Sequence, residues 1–191
     1  MRDILGFLPK SNDKLAVEEF SDRLYFLPDG NHYFIFYSNL MEFRNIYTSF
    51  IRKQLTEQPN SVVLFLSFYD TAENVRKLLE DLKYKSSLKV LDIMQVIRSN
   101  NYQVPDMERL GELAERTKKE LEDKPLVVVA DMSAFNHVNR SSELFEYEEK
   151  LHEQPKPERW KELCFYHKRD FDAMFTYEQK KRLFTLHKEI T

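Results

Sequence analysis

Two runs of this chain, Val62-Val63-Leu64-Phe65-Leu66 and Leu126-Val127-Val128-Val129-Ala130, are apolar at every position. A strand with one wet face alternates apolar and polar residues. One that is apolar throughout must be covered on both sides. Three further segments read as strands: Tyr33-Phe34-Ile35-Phe36-Tyr37, Leu88 to Ile93, and Trp160 to Tyr166 with its lead-in. Helix-period segments separate them. This alternation predicts an α/β three-layer sandwich: a mostly parallel sheet of about five strands, helices on both faces and right-handed crossovers.

Local signals set the boundaries. Pro28-Asp29-Gly30-Asn31 is a turn, and the repeating pattern starts after it, which divides the chain into an N-terminal extension, 1–30, and one domain, 31–191. Residues 15–25 read as a short helix or an adaptor segment. Asn39 with Glu42 resembles a capping box opening a helix over 40–57, with Phe43, Ile46, Tyr47, Phe50, Ile51 and Leu55 on one face. Asp70 and Thr71 open a helix to about Tyr84, with Val75, Leu78, Leu79 and Leu82 inward. A loop to Pro105 leads into a helix near 106–122 built on Met107, Leu110, Leu113 and Leu121. Another helix spans about 141–153 and is broken by Pro155 and Pro157. Thr176 with Gln179 caps the last helix, which carries Leu183, Phe184 and Leu186.

Ligands of parallel sheets bind beyond the carboxyl ends of the strands. That rule selects Tyr37-Ser38-Asn39, Ser67-Phe68-Tyr69, Asp131-Met132-Ser133 and Tyr166-His167. A phosphate loop at such an end needs glycine, because the backbone must adopt positive φ and approach the anion closely. The three glycines, Gly6, Gly30 and Gly111, follow no strand, and neither GxxxxGK[ST] nor GxGxxG occurs. The chain is therefore expected to lack ATP hydrolysis and tight Mg·ATP binding, and no cofactor is expected. A net charge of −3 gives no electrostatic case for nucleic acid; Lys180-Lys181-Arg182 is offset by acidic neighbours. One cysteine, Cys164, excludes an internal disulfide and suits a reducing compartment. Ile4-Leu5-Gly6-Phe7-Leu8 is too short for a signal-peptide core, and no run approaches roughly 18 apolar residues. The expected location is the cytoplasm. Fifteen Phe and ten Tyr either fill a glycine-poor core or line an apolar pocket.

Taken together, His32-x-x-x-Phe36-Tyr37, Asp131-Met132-Ser133, Leu144-Phe145-Glu146-Tyr147-Glu148-Glu149-Lys150-Leu151, Leu163-Cys164-Phe165-Tyr166 with Arg169-Asp170-Phe171, and Leu186-His187 resemble the MEDS domain. This is the sensory domain of methanogens, methylotrophs and a dichloromethane-responsive regulator, and the resemblance covers roughly 31–191. It implies a RecA- and KaiC-like fold without its phosphate loop, and a sensory role toward small hydrocarbon-derived ligands. By the same resemblance, Ser67-Phe68-Tyr69-Asp70-Thr71 stands where KaiC-like proteins carry paired acidic residues, with Tyr69 in place of the first. Leu126 to Asp131 is similar to a Walker B strand, which leaves Asp131 without phosphates or metal to serve.

Each candidate carries a structural reading beside a functional one. His32 is either a surface or capping histidine at the Gly30-Asn31 turn or a pocket contact. Tyr37 either closes the vacated phosphate site or offers its hydroxyl to a ligand. Asp131 either caps the next helix through amides near Ser133 to Phe135 or contacts a ligand or ion. Ser133 reads as a cap, because no Gly-x-Ser-x-Gly elbow exists. Cys164 and His167, three apart on a strand, face opposite sides, which argues against zinc. His137 and His152 are scattered; His187 is expected at the sheet end. The expected site is a pocket bordered by Tyr37, Ser38, Ser67, Tyr69, Asp131, Ser133, Tyr166 and His187, with His32 as a further contact and with no catalytic or metal-binding residue. These readings converge on a non-catalytic sensory module that binds a small ligand or a signalling protein, with homodimerisation open. The alternatives are a residual KaiC-like ATPase and a structural adaptor that works through dimerisation or the first 30 residues.

Overall fold

A computed structural model describes residues 14–97, 108–121, 124–137, 141–153 and 157–187. The segment Ile4–Leu8 and the positions of Pro105, Met107 and Pro155 lie outside these residues. In chain order the elements are α1 (Lys14–Phe26), β1 (Asn31–Tyr37), α2 (Leu40–Glu57), β2 (Val62–Ser67), α3 (Ala72–Leu78), β3 (Leu88–Asp92), α4 (Ile93–Ile97), α5 (Glu108–Leu121), β4 (Leu126–Asp131), α6 (Ala134–His137), α7 (Ser141–Glu153), β5 (Trp160–His167), α8 (Lys168–Met174) and α9 (Tyr177–Leu186). The five strands form one sheet in the order β1-β5-β4-β2-β3, and every pairing is parallel.

Because side chains alternate across a strand, the sheet faces two separate cores. Val63, Phe65, Val127, Val129, Leu163, Phe165 and Tyr37 face α1, α2 and α3 and pack on Phe20, Leu24, Phe43, Phe50 and Val75. Leu64, Leu66, Ala130, Cys164 and Tyr166 face the other way and pack on Leu113, Leu144, Phe171, Leu183 and Leu186 from α5, α7, α8 and α9. The strands are apolar throughout because both phases are buried. Val128 is half-buried.

Most local signals hold. Gly30 takes φ 75 at the turn before β1, and its amide donates to the Trp160 carbonyl at 2.6 Å. Thr176 and Gln179 form a reciprocal capping box. Two expectations need correction. The helix opened by Thr71 ends at Leu78 rather than near Tyr84, because the chain tightens there: the Glu80 amide donates to the Lys77 carbonyl and the Leu82 amide to the Leu79 carbonyl. Leu78 is consequently 41% exposed, while Val75, Leu79 and Leu82 are buried. The chain leaves β3 after Asp92, not Ile93; the Met94 amide donates to Asp92 Oδ1 at 2.8 Å, and Ile93 heads α4.

Residues 14–30 are tied into the first core. Val17, Phe20 and Leu24 are buried, and the buried Lys161 of β5 donates from Nζ to the Tyr25 carbonyl at 2.7 Å and the Leu24 carbonyl at 3.4 Å. Both carbonyls lie in the last turn of α1, where helical donors run out; the Leu24 carbonyl also accepts from the Leu27 amide at 3.4 Å. Burial pushes the Lys161 ammonium below its ordinary range, against the pull of Asp29 3.7 Å away. Lys161→Met is therefore expected to raise amide exchange across α1 by about tenfold or more, with β4 unaffected. Unchanged protection of α1 in hydrogen exchange would refute the anchoring role.

Candidate functional site

The carboxyl ends of β1, β4 and β5 converge on Asp131. This side chain is fully buried at the end of a strand whose neighbours leave it no route to water. Its Oδ1 accepts from the Tyr37 hydroxyl at 3.0 Å and the Ser133 amide at 3.2 Å; its Oδ2 accepts from the Tyr69 amide at 3.0 Å. Ser133 Oγ lies 3.3 Å from the Tyr37 hydroxyl and accepts from the His167 amide at 3.1 Å. Burial raises the Asp131 carboxyl to about 6, although the Tyr69 and Ser133 amides and the Tyr37 hydroxyl pull it down. Burial likewise holds the Tyr37 phenol far above its ordinary range, reinforced by the Asp131 charge. Tyr37 stacks on Phe43 at 4.5 Å.

The turn after β1 has its own anion. Asn39 Oδ1 accepts from the Glu42 amide at 3.0 Å, as the cap predicted, but Glu42 Oε2 takes the Ser38 amide at 2.6 Å rather than that of Asn39. Glu42 is buried. Its carboxylate therefore sits at the amino end of α2, where a helix attracts negative charge.

Outside this network lies an aromatic rim. His137, Phe68, Tyr69 and His167 follow one another with ring centroids 5.5, 4.9 and 5.9 Å apart, and His167 continues to Tyr37 at 5.4 Å. Tyr69 is 44% exposed, and its hydroxyl donates to the buried Asp170. Its phenol is raised by burial and by that hydrogen bond. His167 Nε2 donates to the carbonyl of the exposed Ser38 at 3.1 Å.

The structure thus brings Tyr37, Asp131, Ser133, the Tyr69 backbone and, through His167, Ser38 into one cluster. Ser67 shares the face, but its hydroxyl donates to the Leu91 carbonyl at 3.2 Å. Tyr166 and His187 are not in the cluster. Tyr166 is one residue short of His167 and so faces the opposite core, where it stacks on Phe34 at 4.2 Å. His187 packs against His32, at the amino end of β1, with ring centroids 4.2 Å apart. His32 is buried rather than a surface histidine of the turn. Glu148, which lies in a segment carrying the family resemblance but is not among the expected site residues, stands between them: it accepts from the Tyr166 hydroxyl and places Oε2 3.3 Å from His187 Nε2. Burial pushes the Glu148 carboxyl up, but His187, the Tyr166 hydroxyl and His32 outweigh it and hold the group below its ordinary range.

Residues 31–179 match a family described as the methanogen/methylotroph, DcmR sensory domain, which is well over half of the chain. The chain belongs to the MEDS family. No curated protein matches it. The matched stretch opens with β1 and reaches into α9, so the MEDS domain contains all five strands and the Asp131 network. Among the described residues, no helix is long and apolar enough to cross a membrane.

Proposed function

We propose that this MEDS domain is a non-catalytic sensory module that binds a small, partly apolar ligand at the carboxyl ends of its strands and signals through a partner protein. One observation carries the reading: the anion position of a phosphate-binding fold is taken by the protein's own groups. Glu42 occupies the amino end of α2, and the Tyr37 ring covers Asp131 and Ser133. A nucleotide phosphate would meet a resident carboxylate instead of open amides. What stays accessible is the rim of Tyr69, Phe68, His137 and His167, in which apolar ring faces stand beside two imidazoles next to the exposed Ser38, a composition suited to a small molecule with one polar end.

Calorimetry with Mg·ATP is expected to show no binding at millimolar nucleotide. Micromolar affinity that is abolished by Asp131→Ala would restore the ATPase reading. A thermal-shift screen of small organic compounds is expected to find stabilisers of the native chain that fail on Tyr69→Ala. If no compound stabilises the native chain, or Tyr69→Ala responds equally, the structural adaptor reading replaces this one.

A further inference from the structure

His32, Glu148 and His187 come from three elements and meet on the other face of the sheet, at its opposite end. His32 is the second residue of β1, Glu148 lies in α7, and His187 directly follows α9. All three are buried, and their ligand-type atoms lie within 4.8 Å of one another.

The hydrogen bonds around the cluster fix which atoms face inward. A carbonyl oxygen only accepts, so the 2.9 Å contact between His187 Nδ1 and the Leu183 carbonyl puts the proton on Nδ1. In a neutral imidazole Nε2 then carries a lone pair. That lone pair faces Glu148 Oε2 at 3.3 Å, and neither atom makes a hydrogen bond. A neutral imidazole and a carboxylate pointed at each other in a dry site repel. A cation shared between them, either a second proton on His187 or a metal ion, turns the contact attractive. The third buried ligand atom, on His32, within reach of both is what a metal ion uses and a single proton does not. The outer contacts are also those of metal ligands: the far nitrogen of the imidazole donates to a backbone carbonyl, and the far oxygen of the carboxylate is held by a hydroxyl, here Tyr166.

We propose that His32, Glu148 and His187 form a site for a first-row divalent metal of the zinc or ferrous class. Two imidazoles and one carboxylate suit such ions better than calcium or magnesium, which prefer oxygen, or copper(I), which prefers sulfur. Ligand atoms on one tetrahedral zinc stand roughly 3.4 Å apart, given bonds of about 2.0–2.1 Å. The Glu148–His187 separation already matches this spacing, and the His32 ring needs to close by at most roughly 1.4 Å. Three protein ligands leave at least one position for water or a small molecule. His152, exposed and one turn beyond Glu148, meets His32 edge-on at 5.9 Å and marks the side open to solvent. The ion would tie the edge strand β1 to α7 and α9. This inference is independent of the strand-end reading, which concerns other residues.

The experiment is titration of chelator-treated full chain with Zn²⁺ and Co²⁺. One ion per chain is expected, with the visible absorption of low-coordinate Co²⁺ and a rise in melting temperature. Glu148→Gln and His187→Gln should each weaken Zn²⁺ binding more than about 100-fold, and Tyr166→Phe about 10- to 100-fold. His152→Ala should leave it unchanged. Circular dichroism of the metal-free variants checks that they fold. Nitrogen NMR of the native chain needs no variant: Zn²⁺ should shift His187 Nε2 while Nδ1 keeps its proton. Binding that is equal in the variants, binding absent from the native chain, or a doubly protonated His187 that zinc does not alter would overturn the proposal.

Discussion

Asp131→Ala is expected to destabilise the domain by about 3–5 kcal/mol, since it strands two buried donors and one part-buried donor at roughly 1–3 kcal/mol each. Those donors are the Tyr37 hydroxyl and the amides of Tyr69 and Ser133. A loss of that size is a large share of the roughly 5–15 kcal/mol that holds a typical domain. Urea unfolding should show a lower midpoint with an unchanged m-value. Asp131→Asn should lose less, because one oxygen can still accept from Tyr37 and Ser133 while its NH₂ opposes the Tyr69 amide. A loss below about 1 kcal/mol for Asp131→Ala would mean that the donors find other partners and that the network does not close the strand end.

How much of this was legible in the sequence depends on whether the signal was local or periodic. Strand runs that are apolar in both phases gave away the covered parallel sheet, and Asn39, Thr71 and Thr176 marked three helix starts correctly. The strand-end rule found Tyr37, Asp131 and Ser133, because position in a parallel sheet decides where a residue ends up. It could not separate Tyr166 from His167. That separation needs the phase of β5 against the sheet's faces, which the pairing of Tyr37 with His167 and Phe36 with Tyr166 supplies. The short helices α4, α6 and α8 carry too few residues to display a period.

His32, Glu148 and His187 each lie in a segment that carries the family resemblance, but nothing in the sequence said that they meet. They are separated by most of the domain, and His187 follows a helix, where no periodicity fixes a direction. What the sequence did offer was parity. His32, Phe34 and Phe36 share a phase of β1 with each other and not with Tyr37, so a histidine in that phase could not belong to the Asp131 site. The aromatic surplus of the composition resolves into two uses. Phe34, Tyr166, Phe171 and Phe175 pack in one core and Phe43, Tyr47 and Phe65 in the other, while Tyr69 belongs to neither and stays 44% exposed.

Asp70→Ala is expected to cost about 2–4 kcal/mol, with a pH dependence opposite to that of Asp131. Asp70 is buried; it takes both prongs of the Arg44 guanidinium at 2.7 and 2.8 Å and the hydroxyl of the buried Tyr47 at 2.6 Å. Its loss leaves Tyr47 without that acceptor, while Arg44, 30% exposed, can partly rehydrate, which keeps the figure below that of a fully buried pair. Burial pushes the Asp70 carboxyl up, but the Arg44 and Tyr47 hydrogen bonds and the Arg44 charge bring it below its ordinary range. A depressed carboxyl binds fewer protons folded than unfolded. Its stabilisation is therefore complete above the unfolded value, about 3.9, and is lost as pH falls through the folded value. Asp131, raised to about 6, binds more protons folded, so its contribution is complete below about 3.9 and is lost as pH rises through about 6, on the order of 3 kcal/mol in all. The two are separated by measuring unfolding free energy from acid to neutral pH in the native chain, Asp70→Asn and Asp131→Asn. The gap between native and Asp70→Asn should shrink only below about pH 4. The gap between native and Asp131→Asn should shrink as pH rises toward 7. If both gaps move in the same direction, one of the two carboxylates is not held as the structure places it.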